Sequence, residues 1–503
     1  MIDLEAANSA LSMMFSSWQI WAVLVPGLLI GLTAGALIGV QNPMAMAICL
    51  PLTLYMDFLP AVMLLTAIFT GAGFGGAITS VLMGIPGTSS CVATTFDGYP
   101  MAQQGKHNEA LGIALLSSSF GVLFGYMVLF LLIVPLSRWV LKLGPVEMLF
   151  VALWGLSTLA ALGGKFMSRG FIAALFGVLL GTVGMNTSGY IRGTAGISFL
   201  LEGIPFVPAM MGMFAASQLF ELVGVKFLVQ DESLRRADFG KIMGTVRWLK
   251  KIPFLLLRGS LVGTFIGAIP GIGSSLANLV SYAETKRMDR DPDSFGKGNP
   301  KGVAASESAN SSSEGGSMVI TLALGIPGGA GTAMLLVAFG MHNVIGGPQF
   351  ISNNMDIVYV IIFGNFAQAG ILLVVGLLFI SVAGNIVRLP LSILIPSVLV
   401  LSVVGAYAVT GDIAGPITLF AFAVFGWLMK RFDYPIAATV VGLVLGRMVE
   451  SELIRSYQLS AGDILFLLER PVALVFAVLL ILSLCQPLIF KAFRLKRDFI
   501  ADD

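Results

Sequence analysis

The sequence predicts an all-α polytopic membrane protein made of two inverted repeats with broken helices and re-entrant hairpins, plus scaffold helices. Composition, the placement of charge and an internal repeat predict it. Of 503 residues, 57% are hydrophobic and 11% charged, with a mean hydropathy of +0.92. A soluble domain carries about a quarter of its residues charged, so folding in water is excluded. The stretches 6–56, 58–96, 110–137, 259–283, 315–355, 357–387, 389–411 and 471–490 contain no Asp, Glu, Lys or Arg. Several exceed the roughly 20 apolar residues that cross a bilayer, which gives about 10–13 membrane elements. Lipid cannot satisfy an open backbone and the alternating pattern of a barrel is absent, so the spans are expected to be helical.

The net charge of +2 gives no sign of a nucleic-acid partner. Cys49, Cys91 and Cys485 are scattered in apolar sequence, and His107 and His342 have no obvious partner, so neither a disulfide framework nor a metal site is expected. Asp3 and Glu5 stand where a signal peptide would be basic, and no cleaved leader is expected.

No Lys or Arg precedes Lys106. Basic residues then crowd into 224–258, 284–301 and the tail at Lys491, Arg494, Lys496 and Arg497. The positive-inside rule places all three in the cytoplasm and the N-terminus in the periplasm. The apolar segment 259–283 is then flanked by cytoplasmic loops on both sides. With Ile269-Pro270-Gly271-Ile272-Gly273 in its middle, it reads as a re-entrant hairpin, a shape tolerated at membrane depth only where protein encloses it.

Gly75-Gly76 through Gly84-Ile85-Pro86-Gly87 matches Gly315-Gly316 through Gly325-Ile326-Pro327-Gly328, with one residue inserted in the second copy. Upstream, Gly35-Ala-Leu-Ile38-Gly39 is echoed by Gly263-Thr-Phe-Ile266-Gly267. The chain therefore divides into an N-terminal half, 1–223, holding a first repeat at about 20–100, and a C-terminal half, 254–503, holding a second at about 254–346. A basic cytoplasmic linker, 224–253, joins them. The first copy begins outside and the second inside, so the copies are expected to be inverted, an arrangement that places a binding site near the midplane.

Each Gly-Ile-Pro-Gly break should end one half-helix and start another. The new N-terminus offers free N–H groups and the positive end of a dipole, suited to an anion. Candidate anion ligands are Gly87, Thr88, Ser89 and Ser90 after Pro86, with Thr94 and Thr95 beyond. After Pro327 they are Gly328, Gly329 and Thr332. The alternative is a pair of packing kinks, but two breaks at matching repeat positions favour a site. At the third break, Pro270-Gly271 leads to Ser274, Ser275 and Asn278, which could serve a substrate oxygen or a cation. The first copy has Val40-Gln41-Asn42-Pro43-Met44 there. Glu307, Asn310 and Glu314 fall on one helical face and are candidates for a coupling Na⁺ or H⁺; the alternative is a cytoplasmic helix start whose acids favour its dipole. Asp97-Gly98 and Tyr99-Pro100 are explained by turn chemistry.

These segments resemble the large membrane subunit of the tripartite tricarboxylate transporters. The resemblance rests on Gly84-Ile-Pro-Gly-Thr-Ser-Ser, Asp97-Gly-Tyr-Pro-Met-Ala-Gln-Gln-Gly-Lys106, Glu109-Ala-Leu-Gly-Ile-Ala and Leu179-Leu-Gly-Thr-Val-Gly184. It continues through Ile269-Pro-Gly-Ile-Gly273, Phe295-Gly-Lys-Gly298, Gly302-Val-Ala-Ala-Ser-Glu-Ser-Ala-Asn310, Leu324-Gly-Ile-Pro-Gly328 and Leu445-Gly-Arg-Met-Val-Glu450, in order over nearly the whole chain. It implies secondary, ion-driven uptake of di- or tricarboxylates across the bacterial inner membrane. The partners implied are a small membrane subunit and a periplasmic solute-binding protein. Members of the family usually carry Pro-Gly at the first hairpin tip, where this chain has Asn42-Pro43-Met44. The residues alone leave open a stand-alone anion transporter or channel. A membrane enzyme would need a nucleophile with its base or a metal cluster, and the two isolated histidines supply neither.

Overall fold

In the computed structural model the described residues are 3–37, 41–161, 167–186, 188–217, 239–270, 273–386, 391–460, 463 and 470–484. Gly271, Val40, the first half of the basic linker, Cys485 and the basic tail lie outside them. The helices run α1 (Leu4–Ser16), α2 (Trp18–Ala36), α3 (Asn42–Thr53), α4 (Phe58–Met83), α5 (Val92–Gln103), α6 (His107–Val140), α7 (Pro145–Ala161) and α8 (Met167–Gly181). They continue as α9 (Phe206–Met211), α10 (Phe239–Leu249), α11 (Pro253–Gly267), α12 (Gly273–Met288), α13 (Pro300–Leu324), α14 (Ala330–Met341) and α15 (Pro348–Asn353). Last come α16 (Met355–Ile386), α17 (Leu391–Thr410), α18 (Ala414–Arg431), α19 (Ile436–Leu459) and α20 (Pro471–Leu484). The strands among the described residues are the two-residue pair Gly184–Met185 and Ile191–Arg192. This is the all-α membrane fold expected. By length and apolarity, Trp18–Ala36, Phe58–Met83, His107–Val140 and Met355–Ser381 can each cross a bilayer.

Two compact units form, Met1–Arg138 with Val207–Trp427, and Trp139–Phe206 with Leu428–Asp503. They cut across the sequence halves, because the first unit gathers both repeats. In the second, α8 and α19 meet backbone to backbone, a Cβ on Gly442 running into the Ala174 carbonyl. The buried Glu147 is held there by Arg470 at 3.3 Å.

Within the first unit, each repeat is built on a glycine seam. Small residues every four positions let two helices touch through their backbones. Gly27, Gly31 and Gly35 of α2 lie on the carbonyls of Leu64, Ile68 and Ala72 of α4. Gly259, Gly263 and Gly267 of α11 lie on α13 at Ala305, Ala309 and Ser313. These contacts reset the register of the repeat. Gly35 corresponds to Gly267, not Gly263, and Gly75, resting on the Leu32 carbonyl, corresponds to Gly316, resting on that of Thr264. No residue is inserted, and α4 and α13 superpose in sequence at the constant separation of Gly84 and Gly325, 241 residues. The doubled glycines misled the sequence alignment because a shift of one also matches Gly to Gly.

The segment 259–283 is broken where expected. α11 has 15 residues and α12 has 16, each short of the roughly 20 that cross a bilayer. Asp97-Gly98 and Tyr99-Pro100, by contrast, do not form a turn. They lie inside α5, with Pro100 in the helix, because the helix begins only at Val92 and Asp97 is fully buried. The serine run at 306–313 likewise is no helix start. α13 begins at Pro300, capped by Asn299, and is buried from Gly302 to Ala323.

Candidate functional site

Both breaks begin with the same backbone event. Gly84 (φ 68) and Gly325 (φ 69) end α4 and α13 in the left-handed conformation that favours glycine. Pro86 and Pro327 follow and keep the helix from resuming. The chain then turns back along the helix it has left. A Cβ on Gly87 would come within 2.8 Å of Gly76 Cα, and one on Gly328 within 2.7 Å of Ser317 Cα. The first copy passes through a 3-10 turn, Ser89–Cys91, into α5; the second enters α14 from Gly329.

The third break meets the other two. Ser89 Oγ and Ser275 Oγ share a hydrogen bond of 2.9 Å. A Cβ on Gly273 would stand 3.6 Å from Gly329 Cα. Gly87, Thr88, Ser89, Ser90, Ser274, Ser275, Gly328 and Gly329 therefore belong to one neighbourhood, and Pro270 is buried beside it. Not every hydroxyl there is free. Thr88 Oγ1 bonds Ser90 Oγ at 3.0 Å and donates to Cys91 Sγ, and both side chains are buried. Thr332 Oγ1 accepts from the Gly329 N–H and donates to the Gly329 carbonyl. Asn278 Oδ1 accepts the Ala93 N–H at 3.1 Å, while its Nδ2 donates to the Ser274 and Ser275 carbonyls. Asn278 thus ties the hairpin tip to the start of α5. Ser89 is exposed and Ser274 and Ser275 are half-buried.

Glu307, Asn310 and Glu314 lie directly behind this cluster. Glu307 accepts from Thr94 Oγ1 on α5 and from Ser118 Oγ on α6 at 2.9 Å. Asn310 Nδ2 reaches the Gly73 carbonyl and Cys91 Sγ, each at 3.5 Å. Glu314 accepts from Thr70 Oγ1 at 2.8 Å, and Gln368 beside it donates to Thr66 Oγ1. The neighbouring serines bond largely to their own helix: Ser306, Ser308 and Ser313 each donate three residues back. Both glutamates are buried, 0% and 4% exposed, and their partners are neutral. The ion pairs among the described residues lie elsewhere. An isolated carboxylate in such surroundings costs several kcal/mol or more, and a proton or a bound cation removes that cost.

Sequence reasoning missed Thr70, Ser118 (the middle of Ser117-Ser118-Ser119) and Gln368, polar residues in apolar spans whose facing only the packing reveals. It also passed over Asn42, which is 7% exposed and whose Oδ1 has no hydrogen-bond partner. No metal-binding group of His, Cys, Asp or Glu forms among the described residues.

The model of the tripartite tricarboxylate transporter TctA family matches residues 21–441. The chain is 30% identical, over 95% of its own length and 95% of the relative's, to an uncharacterised 52.8 kDa protein in the TAR-I ttuC' 3' region of Agrobacterium vitis. A second protein of that organism, in the TAR-II ttuC' 3' region, is 29% identical over 48% of this chain and all of its own length. No solved structure matches it.

Proposed function

From the premise that the chain belongs to the tripartite tricarboxylate transporter TctA family, we propose that it is the large membrane subunit of a binding-protein-dependent, ion-driven carrier for a small di- or tricarboxylate. It is a multi-pass membrane protein of a transporter family. The observation that supports the finer reading is the convergence of three broken backbone segments on one neighbourhood, with two buried acids behind it. Gly87–Ser90, Ser274, Ser275, Gly328 and Gly329 are the substrate-facing set, offering N–H groups, hydroxyls and two helix N-termini to an anion. Asn278 and Thr332 hold that backbone in place.

Glu307 and Glu314 are the coupling residues. Thr94 links Glu307 to α5, the half-helix that starts at the first break, so loading the acid with Na⁺ or H⁺ bears directly on the substrate side. Alternating access follows from moving one repeat against the other, in inverted orientation, with the N-terminus periplasmic and the C-terminus cytoplasmic. The remaining subunits are the small membrane protein and the periplasmic binding protein.

The test is uptake of a panel of labelled di- and tricarboxylates into vesicles, with and without the binding protein and an imposed Na⁺ or pH gradient. Uptake requiring both is expected. Uptake indifferent to the binding protein would favour the stand-alone carrier, and uptake indifferent to any gradient would favour a channel.

A further inference from the structure

Asp97 is the one acid of α5, and the ligand-holding scheme above makes no use of it. Its carboxylate is fully buried, yet no ion pair to it forms among the described residues. Oδ1 accepts three backbone N–H groups, from Gly296 at 2.8 Å, Gly298 at 2.9 Å and Asn299 at 2.8 Å. Oδ2 accepts the Tyr282 hydroxyl at 2.9 Å. Gly296 (φ 84) and Gly298 (φ 100) let the loop curl around the anion, so Gly-Lys-Gly is an anion nest filled by the protein itself. Gly302 is required beside it, because a Cβ there would strike Oδ2. Gln104, two turns on, donates to the Lys297 carbonyl at 2.8 Å.

The loop so held carries the N-cap of α13. Asn299 Oδ1 accepts the Lys301 N–H at 2.9 Å. α5 therefore grips α13 twice, through Thr94 on Glu307 and through Asp97 on the loop before Pro300. This is the face rich in Lys286, Arg287, Arg290, Lys297 and Lys301, which the positive-inside rule assigns to the cytoplasm. The 241-residue correspondence locates the matching junction of the other copy. Asp97 and Asn299 correspond to Ala338 and Phe58, taken in the reverse sense, and Phe339 follows Ala338. There the contact is aromatic: the Phe58 ring lies 5.0 Å from Phe339 and 5.8 Å from His342. One closure is thus a buried polar latch and its counterpart is an apolar plug.

The geometry points to Asp97 as a positioning residue that shuts the cytoplasmic side of the carrier by fastening α5 to the loop 296–299. The inference rests on the transport reading for its purpose but not for its test. Charge-assisted hydrogen bonds are about twice as strong as neutral ones, and releasing even one changes an equilibrium by about tenfold. The experiment places a cysteine at Ser274 in the full chain carrying Cys485→Ser, Cys49 and Cys91 being buried, and follows labelling by an impermeant maleimide in inside-out vesicles, in the absence of substrate. Asp97→Asn should raise the cytoplasmic labelling rate about tenfold over the parent. Phe339→Ala should not raise it.

An unchanged rate in Asp97→Asn protein that inserts normally overturns the latch. Should that variant fail to insert, Tyr282→Phe decides. It removes one hydrogen bond and keeps the ring against Phe96 and Phe295, and a rate no faster than the parent overturns the proposal equally. Ser274→Cys protein that labels as expected, beside a wild-type chain that moves no carboxylate, would sink the transport reading and leave the latch standing.

Discussion

Replacing Glu307 by Gln tests the coupling scheme most directly. The substitution keeps the shape of a side chain that is fully buried and touches Thr94 and Ser118. Both hydroxyls lose a charged acceptor and one of them faces an amide NH₂ instead, a cost of about 1–2 kcal/mol that the removal of an uncompensated buried charge offsets. Insertion and thermal stability should therefore change little. Transport should change greatly. One elementary charge moved through 100 mV carries about 2.3 kcal/mol, which sets an accumulation ratio of roughly fiftyfold per coupled charge. With Glu307 fixed neutral, that factor disappears, while exchange of labelled for unlabelled substrate, which needs no net ion movement, continues. The assay is steady-state accumulation of the labelled acid in vesicles carrying the partner proteins, at an imposed potential of about 100 mV, beside counterflow in the same vesicles. Glu307→Gln protein that reaches the wild-type accumulation ratio would refute the reasoning, since the coupling cation would then have no need of this carboxylate.

Other expectations follow from the same contacts. Ala-Ala in place of Pro86-Gly87 or Pro327-Gly328 should abolish uptake and leave membrane insertion intact, read by transport assay and by membrane fractionation. Gly31→Leu and Gly263→Leu should each destabilise by at least the 1–3 kcal/mol typical of overpacking, and by similar amounts, because both positions rest on a facing carbonyl; thermal unfolding in detergent checks this. Asp289, outside the spans, is opposed by burial, but the Lys301 ammonium at 2.6 Å and the Asp291 N–H outweigh it and hold its carboxyl below the usual range. A depressed pKa means stabilisation that is present above the ordinary carboxylate value and is lost as pH falls through the lowered one. The protection of amides 289–299 against hydrogen exchange, taken relative to their intrinsic rates at each pH, should fall on acidification, and Lys301→Ala should flatten that dependence.

The helical membrane fold was legible because lipid imposes it through composition, and the breaks were legible because Pro and Gly act locally. Ser275 and Ser89 could be nominated from the same logic, yet their meeting depends on how α12 folds back. Register failed where local identity was degenerate, at Gly75-Gly76 against Gly315-Gly316. Asp97 was misread for a related reason. Asp-Gly is a turn signal in an exposed segment, but burial against Tyr282 and a glycine-rich loop far along the chain turned it into a helical anchor. Gln368 and Ser118 carried no local signal at all, since a hydroxyl or amide within an apolar run reads the same whether it faces lipid or a carboxylate.

The nest around Asp97 has a bearing on cargo chemistry. Here the fold already stabilises a dehydrated carboxylate with main-chain amides and one phenol, and with neither lysine nor arginine. A guanidinium adds a full charge and a bidentate fork, and so holds a carboxylate more tightly than neutral amides do. Amides spread along the backbone hold by several weaker bonds, and a carrier must surrender what it captures.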